Sequence, residues 1–330
     1  MRKAALLLGF YNTRRKREKT MQISILLAQQ IAQLFLILIM GYAVVKAGLL
    51  KASDSRVLSV VMVYLVTPCV IINAFQIDDT PEIRKGLLYS MAIAAAIHVV
   101  LLGISALLSR PLKLDAVEQV NVIYSNAAAL VIPLVRALLG DEYVIYSCAF
   151  IIVQLILLWT HASSLLQGDR ALDWKKVFSN INMIAIAAGA LLYWFRVALP
   201  APLQNTMSTM GDMIGPMGML LAGMAIAEKP LRDVFCTRRN YLPTVLRLVV
   251  CPLVMLVLLL VCHASSWVAD GKNILMTVYL AAITPACATV TSMAQLYDRD
   301  AAHSSALYVL TTLLSIITMP VMIGLFDLLL

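Results

Sequence analysis

The sequence predicts an all-α membrane protein whose ten transmembrane helices form two inverted five-helix repeats. Composition is the first observation behind this prediction, because 61% of the 330 residues are hydrophobic and only 13% are charged. Soluble proteins are about half apolar and about a quarter charged. Mean hydropathy is +0.87. The other two observations are the spacing of the apolar runs and the interruption of two of these runs at their centres.

Apolar runs recur along the chain at lengths near the roughly 20 residues that a helix needs to cross about 30 Å of hydrocarbon. The ten runs are Ile23–Val45, Val57–Phe75, Gly86–Leu108, Val120–Leu139, Val144–Leu166, Ile181–Leu199, Leu203–Ile226, Tyr241–His263, Ile274–Leu296 and Ala302–Phe326. A tight turn separates the sixth run from the seventh, because neither Pro200 nor Pro202 can continue a helix. No linker divides the chain, so we expect one polytopic domain.

The fourth and ninth runs each carry a proline and a cluster of small or hydroxyl residues at their centre. These stretches are Ser125–Pro133 and Thr284–Ser292. A helix that breaks inside lipid leaves backbone N–H and C=O groups that must line a cavity or be buried in protein. We therefore predict that the two stretches form the halves of a solute site near the bilayer midplane. Pro133 and Pro285 are the predicted helix-breaking residues.

The basic residues indicate an orientation in the membrane. The odd-numbered connections between runs carry thirteen Lys and Arg residues, and the even-numbered connections carry five. The positive-inside rule then places the odd connections in the cytoplasm and both termini outside. Residues 1–20 conflict with this orientation because they hold seven Lys and Arg residues and one Glu. We favour the hypothesis that the natural chain starts at Met21. A secretory signal is less favoured, because no short apolar region ends in an A-x-A site.

Ten spans with both termini on one side suggest two repeats of five spans each. A repeat with an odd number of spans must be inverted in the membrane relative to its partner. At an offset of 157 residues, Ala137–Asp141 aligns weakly with Ala294–Asp298, and Ser147 aligns with Ser304. The alignment joins corresponding spans of the two halves. The predicted organisation is a basic tail at 1–20, a first repeat at 21–166, a cytoplasmic loop at 167–180 and a second repeat at 181–330.

The fourth run, Asn121–Gly140, reads NVIYSNAAALVIPLVRALLG and resembles the fourth-span pattern of the auxin efflux carrier family. That family includes the plant PIN carriers and many bacterial transporters. Other agreeing pieces within residues 22–328 are Pro68 with Asn73, Pro216–Ala225, Pro285 with Ala294–Asp298, and Leu313–Pro320. The resemblance implies a scaffold domain and a transport domain, with broken helices that cross at the fourth and ninth spans. Two features depart from the family: Ala127–Ala129 replaces a glycine-rich centre, and Asn180-Ile181 replaces an expected Asn-Pro.

An unwound crossing can select charge without a buried charged side chain. Half-helix N-termini carry about +0.5 of an elementary charge together with free N–H donors, so an anion is the expected cargo. The predicted substrate-binding residues are Ser125, Asn126, Pro133, Pro285, Thr289, Thr291 and Ser292. For each of these hydroxyls, a bond to its own helix or packing between helices is the favoured alternative. The predicted coupling or support residues are Asp212, Glu118, Asn73 and Gln154.

Two more ionisable residues, His98 and Arg247, lie inside the third and eighth runs. Intramembrane ionisable residues normally indicate coupling. For these two, interfacial snorkelling or interhelical hydrogen bonding is favoured over a proton-linked role.

The predicted function is secondary transport of a small organic anion by alternating access, in the efflux direction, across the inner (plasma) membrane. The scarcity of buried carboxylates fits an exporter without a coupling ion. The alternative is sodium-coupled organic anion uptake of the bile-acid symporter type, which should offer clustered Glu, Gln and Asn oxygens.

Other function classes are not indicated. An enzyme is not expected, because the four histidines lie on different spans or loops without an HExxH or GxSxG motif. No cofactor is proposed, and the six cysteines show no CxxC spacing that would suggest a metal. Most of the net charge of +8 belongs to the basic tail, so no nucleic-acid partner is expected. The expected partners are the anion and the lipid bilayer, and a homodimer stays open.

Overall fold

The computed structural model describes residues 29, 32–33, 35–76, 80–168, 179, 181–227, 231–268 and 270–330. The basic tail at 1–20, the alternative start at Met21 and most of the predicted loop at 167–180 lie outside these residues. The described chain is helical. Its β-type pairing is a single isolated bridge between two helix interruptions.

Within the described chain, nine apolar helices divide by length. Three are short, namely α1 (Phe35–Lys46), α7 (Ile181–Trp194) and α11 (Gly271–Ile283). Six are long and apolar enough to cross a membrane, namely α2 (Ala52–Asn73), α3 (Pro81–Ser109), α6 (Val144–Gln167), α8 (Ala201–Ile226), α10 (Arg238–Val261) and α13 (Ala301–Leu329). The remaining helices are α4 (Ala116–Ile123), α5 (Ala127–Leu138), α9 (Leu231–Cys236) and α12 (Ala288–Leu296).

These bounds confirm the coarse prediction of an all-helical membrane protein. Six spans qualify by length, so the count of ten and the inverted arrangement of two repeats stay predictions. The difference has a structural reason. The predicted fourth and ninth spans are each divided into two short helices. In the predicted first span, the structure describes a continuous helix only from Phe35 onward.

Local sequence signals explain where several helices begin. Thr80 precedes Pro81 and accepts a hydrogen bond from the Ile83 N–H, which caps the start of α3. A reciprocal capping box begins α4, because Asp115 and Glu118 each accept a hydrogen bond from the backbone N–H of the other.

Prolines account for two of the irregular turns inside the long helices. A π-helical turn at Met62–Val66 lies two residues before Pro68, and another at Leu246–Val250 lies two residues before Pro252. A proline leaves the carbonyl four residues earlier without its usual donor. In both helices that carbonyl lies within the π-helical turn, so the local change in winding accompanies the missing hydrogen bond.

The two interrupted pairs, α4–α5 and α11–α12, lie among the longer helices. Helix α6 packs against α3, α5 and α11, and α13 packs against α8 and α12. Every residue of α12 from Ala288 to Ala294 is buried. Helix α1 approaches α8 backbone to backbone, since a Cβ added at Gly223 would lie 2.0 Å from the Leu38 carbonyl oxygen. This packing places the interruptions away from the lipid-facing surface.

Candidate functional site

The interruption between α11 and α12 follows from one proline. Pro285 has no N–H to donate to the Ala281 carbonyl, and a residue before proline is driven toward extended backbone. Thr284 accordingly has φ −60° and ψ 157°. Its hydroxyl donates to the Ala281 carbonyl at 3.0 Å and so replaces the missing donor. The prediction that Pro285 breaks the ninth run therefore agrees with the structure.

The interruption between α4 and α5 has a different cause. It falls at Tyr124–Asn126, where Tyr124 is extended with φ −96° and ψ 133°. Pro133 lies inside α5, six residues after its first residue, so the prediction that this proline breaks the fourth run is wrong. The break is instead accompanied by a competing side chain, Gln154 of α6. The Gln154 Oε1 accepts the Ser125 N–H at 2.9 Å, and its Nε2 donates to the Ser125 carbonyl at 2.9 Å.

The two interruptions meet. The Asn126 N–H donates to the Pro285 carbonyl at 2.8 Å, and the Cys287 N–H donates to the Tyr124 carbonyl at 3.1 Å. Ser125 and Ala286 thus form a short antiparallel bridge. We refer to residues 124–126 and 284–287 as the paired breaks. Backbone groups that cannot reach water at this depth obtain partners from the opposite break.

Side chains from neighbouring helices form hydrogen bonds with the backbone groups of the paired breaks that do not bond the opposite break. Gln154 makes a third hydrogen bond, because its Oε1 also accepts from the Ser125 hydroxyl at 2.7 Å. On the other side, the Ala286 N–H donates to the Thr311 hydroxyl at 3.1 Å. The structure therefore places Gln154 in a supporting position at the first break.

The carboxyl ends of α4 and α11 converge on one guanidinium. Arg247 of α10 is 1% exposed. It donates to the Val122 and Ile123 carbonyls of α4 at 3.1 and 3.2 Å, and to the Ala282 and Thr284 carbonyls at 2.5 and 2.8 Å. A fifth bond joins its Nε to the Thr284 carbonyl at 3.1 Å.

Arg247 was not among the predicted binding residues, although the sequence contains a signal for it. The run Tyr241–His263 includes this arginine and no Asp or Glu. An arginine inside a span without an acidic partner in that span needs another acceptor, and exposed carbonyls of a broken helix supply one.

Three of the predicted hydroxyls already have partners within the protein. Ser125 donates to Gln154, the Ser292 hydroxyl donates to the Met62 sulfur at 3.1 Å, and Thr291 shares a hydrogen bond with Ser304 at 3.1 Å. These contacts correspond to the structural alternative stated for the hydroxyls. They tie neighbouring helices together.

Two predicted side chains beside the paired breaks have a polar atom that is free or only weakly engaged. The Asn126 Nδ2 donates to the Tyr308 hydroxyl at 3.2 Å, while the described residues offer its Oδ1 no donor. The Thr289 hydroxyl, in the first turn of α12, makes a hydrogen bond to the Cys287 sulfur, which is only a weak acceptor. Both side chains are buried, at 3% and 5% exposure. They are the polar side chains best placed to contact a solute beside the two half-helix N-termini.

The other predicted support residues lie away from the paired breaks. Asp212 is exposed at an irregular turn of α8, and Asn73 is half-buried at the end of α2. Glu118 is buried at the start of α4, where it pairs with Arg239 through two hydrogen bonds of 2.6 Å.

Glu118 also belongs to the set of described residues that could supply metal ligands, together with Asp115 and His303. The His303 Nε2 lies 3.6 Å from the Glu118 Oε1. Both Glu118 oxygens are engaged by Arg239, which acts as the counter-charge for this carboxylate. The cluster is therefore an ion pair at the start of a half helix, and we assign no metal to it.

Comparison with known proteins gives one finding on the whole chain. A family model described as "Membrane transport protein" matches residues 26–323. This range includes every residue of the paired breaks. No curated protein sequence matches the chain.

Proposed function

The chain belongs to the membrane transport protein family, which is the family of the auxin efflux carriers, and on that premise we propose that it carries a small organic anion across the membrane. The proposed substrate position is the face of the paired breaks at the N-termini of α5 and α12. The paired breaks are the single observation that carries the proposal. They bring two half-helix N-termini together at one place inside a membrane protein.

Charge summation supports an anion. The two N-termini contribute about +0.5 each and the two carboxyl ends of α4 and α11 about −0.5 each, so the four half helices cancel. Arg247 then leaves about one positive charge. Among the described residues, no hydrogen bond of the paired breaks or of Arg247 involves a carboxylate. A monoanion would therefore make the region electrically neutral.

Specific donors support a carboxylate in particular. The first N–H groups of a helix have no partner within that helix, and α5 and α12 start at Ala127 and Ala288. A carboxylate accepts several hydrogen bonds in a plane and suits such donors. The Thr289 hydroxyl can exchange its weak bond to the Cys287 sulfur for a bond to the substrate and so supply a further donor. The free Asn126 Oδ1 is an acceptor, so it suits a hydroxyl or amine on the same substrate.

Efflux by alternating access is the proposed mode of transport, with the plasma membrane as its place. A monoanion leaving an inside-negative compartment gains about 2.3 kcal/mol per 100 mV. That energy corresponds to a concentration ratio of about 50 at equilibrium. An exporter therefore needs no coupling ion. Sodium-coupled uptake is the less favoured alternative, because the Gln154 Oε1 already accepts two hydrogen bonds from Ser125 instead of facing a free cation position.

Proteoliposomes provide the test. Purified protein is reconstituted, and uptake of radiolabelled small carboxylates is measured with an imposed membrane potential, in sodium and in choline buffer. We expect at least one carboxylate to cross unchanged, faster when the potential favours anion movement, and at equal rates in the two buffers. Transport that requires sodium would favour the alternative, and a chemically altered product would contradict a transporter.

The matched variants are Asn126→Asp and Asn205→Asp. Both add one negative charge, the first at the paired breaks and the second at an exposed position on α8. We expect Asn126→Asp to weaken carboxylate binding at least about tenfold, a change of about 1.4 kcal/mol, because the added charge cancels the local excess. Asn205→Asp should behave as the wild type. Equal binding by both variants would place the substrate elsewhere.

A further inference from the structure

The side chain of Arg247 is fully used by backbone carbonyls. A guanidinium has five N–H donors, and the structure shows five hydrogen bonds from Arg247. Two go to α4 and three go to the carboxyl end of α11. The described residues give Arg247 no salt bridge. This side chain therefore joins the ends of two half helices that have no covalent connection nearby.

A buried arginine without a carboxylate partner needs another source of negative charge. The carboxyl end of a helix carries about −0.5 of an elementary charge, so the two ends together supply about −1. This matches the charge of one guanidinium. The carbonyls of α4 and α11 thus form a cation site, and an arginine of the same chain occupies it.

The helix that carries Arg247 is irregular at this position. The π-helical turn Leu246–Val250 contains the arginine and lies just before Pro252. A π-helical turn changes the direction in which its side chains leave the helix, and such turns are frequent at functional sites. The backbone of α10 therefore presents the guanidinium to the four carbonyls at the cost of regular winding.

We propose that Arg247 is a positioning residue that serves as the built-in cation of the paired breaks. Its guanidinium holds the carboxyl ends of α4 and α11 together, which keeps the N-termini of α5 and α12 at the substrate face. The wild-type protein consequently binds no metal cation at these carbonyls. Removal of the side chain leaves a vacant site that accepts a guanidinium ion in preference to an alkali cation. This inference rests on the proposed transport function, but its test measures thermal stability and not transport. A failure of the inference can therefore be distinguished from a failure of the proposed function.

The central experiment is chemical rescue of Arg247→Ala, purified in detergent. Its melting temperature is measured with guanidinium chloride at about 20 mM, and with sodium or potassium chloride at the same ionic strength. We expect the variant to melt well below the wild type. Guanidinium should raise its melting temperature by about 3 °C, the size that mass action gives when the ligand is about tenfold above its dissociation constant. Sodium and potassium should give no such rise.

The matched control is Met255→Ala, a large-to-small change at a fully buried position of the same helix. This variant also loses packing, but the cavity it leaves has no cluster of helix-end carbonyls. Guanidinium should lower its melting temperature slightly, as for the wild type. An equal rise in both variants, or no rise in Arg247→Ala, would overturn the proposal, because a purely structural arginine predicts no difference between the two cavities.

The wild-type protein provides a second test that does not depend on a variant that folds. Its melting temperature is compared in sodium, potassium and choline chloride at constant ionic strength. Equal values support an occupied, internal cation site. A sodium-specific increase that Arg247→Lys abolishes would show that a metal ion binds at these carbonyls. That result would overturn the proposal.

Discussion

At the scale of single residues, polar side chains inside this protein act mainly on backbone groups. Gln154 supplies both an acceptor and a donor to Ser125, and Arg247 supplies five donors to helix-end carbonyls. A backbone group left unpaired in a membrane costs several kcal/mol. These two side chains remove that penalty at the places where helices stop. Their role is therefore to stabilise the backbone around the proposed substrate position.

Two hydroxyls of α12 allow a weakly engaged group, Thr289, to be compared with a firmly engaged one, Thr291. We expect Thr289→Val to leave the melting temperature within about 1 °C of the wild type but to weaken carboxylate binding about fivefold, since within the described chain its hydroxyl bonds only the weakly accepting Cys287 sulfur. Thr291→Val should do the opposite. Loss of the bond to Ser304 removes about 1 kcal/mol and lowers the melting temperature by about 2–4 °C.

Thermal unfolding with and without the carboxylate measures both effects in one experiment. The identical chemical change in the two variants removes differences in volume and helix propensity. A loss of binding in Thr291→Val together with normal binding in Thr289→Val would contradict the assignment of Thr289 as the hydroxyl that contacts the substrate.

At the scale of helices, the two breaks are alike in outcome and different in origin. Pro285 forces the second break through its own covalent structure. The first break has no proline within it, and Pro133 lies further along in α5. At that break Gln154, which is distant in sequence, competes for the backbone of Ser125. A break of this second type depends on tertiary contacts and is invisible to local sequence rules.

Contact between α1 and α8 depends on a glycine. A Cβ at Gly223 would lie 2.0 Å from the Leu38 carbonyl oxygen, which no side-chain rotation can relieve. We therefore expect Gly223→Ala to destabilise the protein by about 2 kcal/mol or more, as the two helices are forced apart. The measurement is the melting temperature in detergent.

Gly103→Ala is the control for this change. Gly103 lies in α3, and a Cβ added there would meet nothing within 4 Å. Because alanine favours a helix by about 1 kcal/mol relative to glycine, this variant should be as stable as the wild type or more stable. Equal destabilisation of both variants would show that the α1–α8 contact is not the cause.

At the scale of the whole molecule, charge is distributed in two separate ways. Lys and Arg outside the spans set the predicted orientation, with thirteen on one side and five on the other. Inside the spans, the charge comes mostly from helix ends and from Arg247. The first distribution predicts the direction of insertion, and the second is the basis of the proposed local preference for anions. Glu118 and Arg239 form a neutral pair at the start of α4 and leave this preference unchanged.

Orientation is testable with single cysteines. In a variant without the six native cysteines, Lys51→Cys and Lys85→Cys place a thiol at exposed positions of the first and second connections. We expect a membrane-impermeant maleimide to label Lys85→Cys on intact cells, and Lys51→Cys only after the membrane is opened, because the odd connections are predicted to be cytoplasmic. Labelling in the reverse order would contradict the predicted orientation.

The sequence by itself determined the class of this protein, its membership of a transporter family and the position of one helix break. Hydrophobic composition and a proline act locally, so their consequences can be read along the chain. The tertiary structure alone decided that the two breaks meet, that Gln154 forms the first of them, and that Arg247 joins their carboxyl ends. Each of these features is a hydrogen bond between residues far apart in sequence, and a local pattern carries no information about which distant group will arrive.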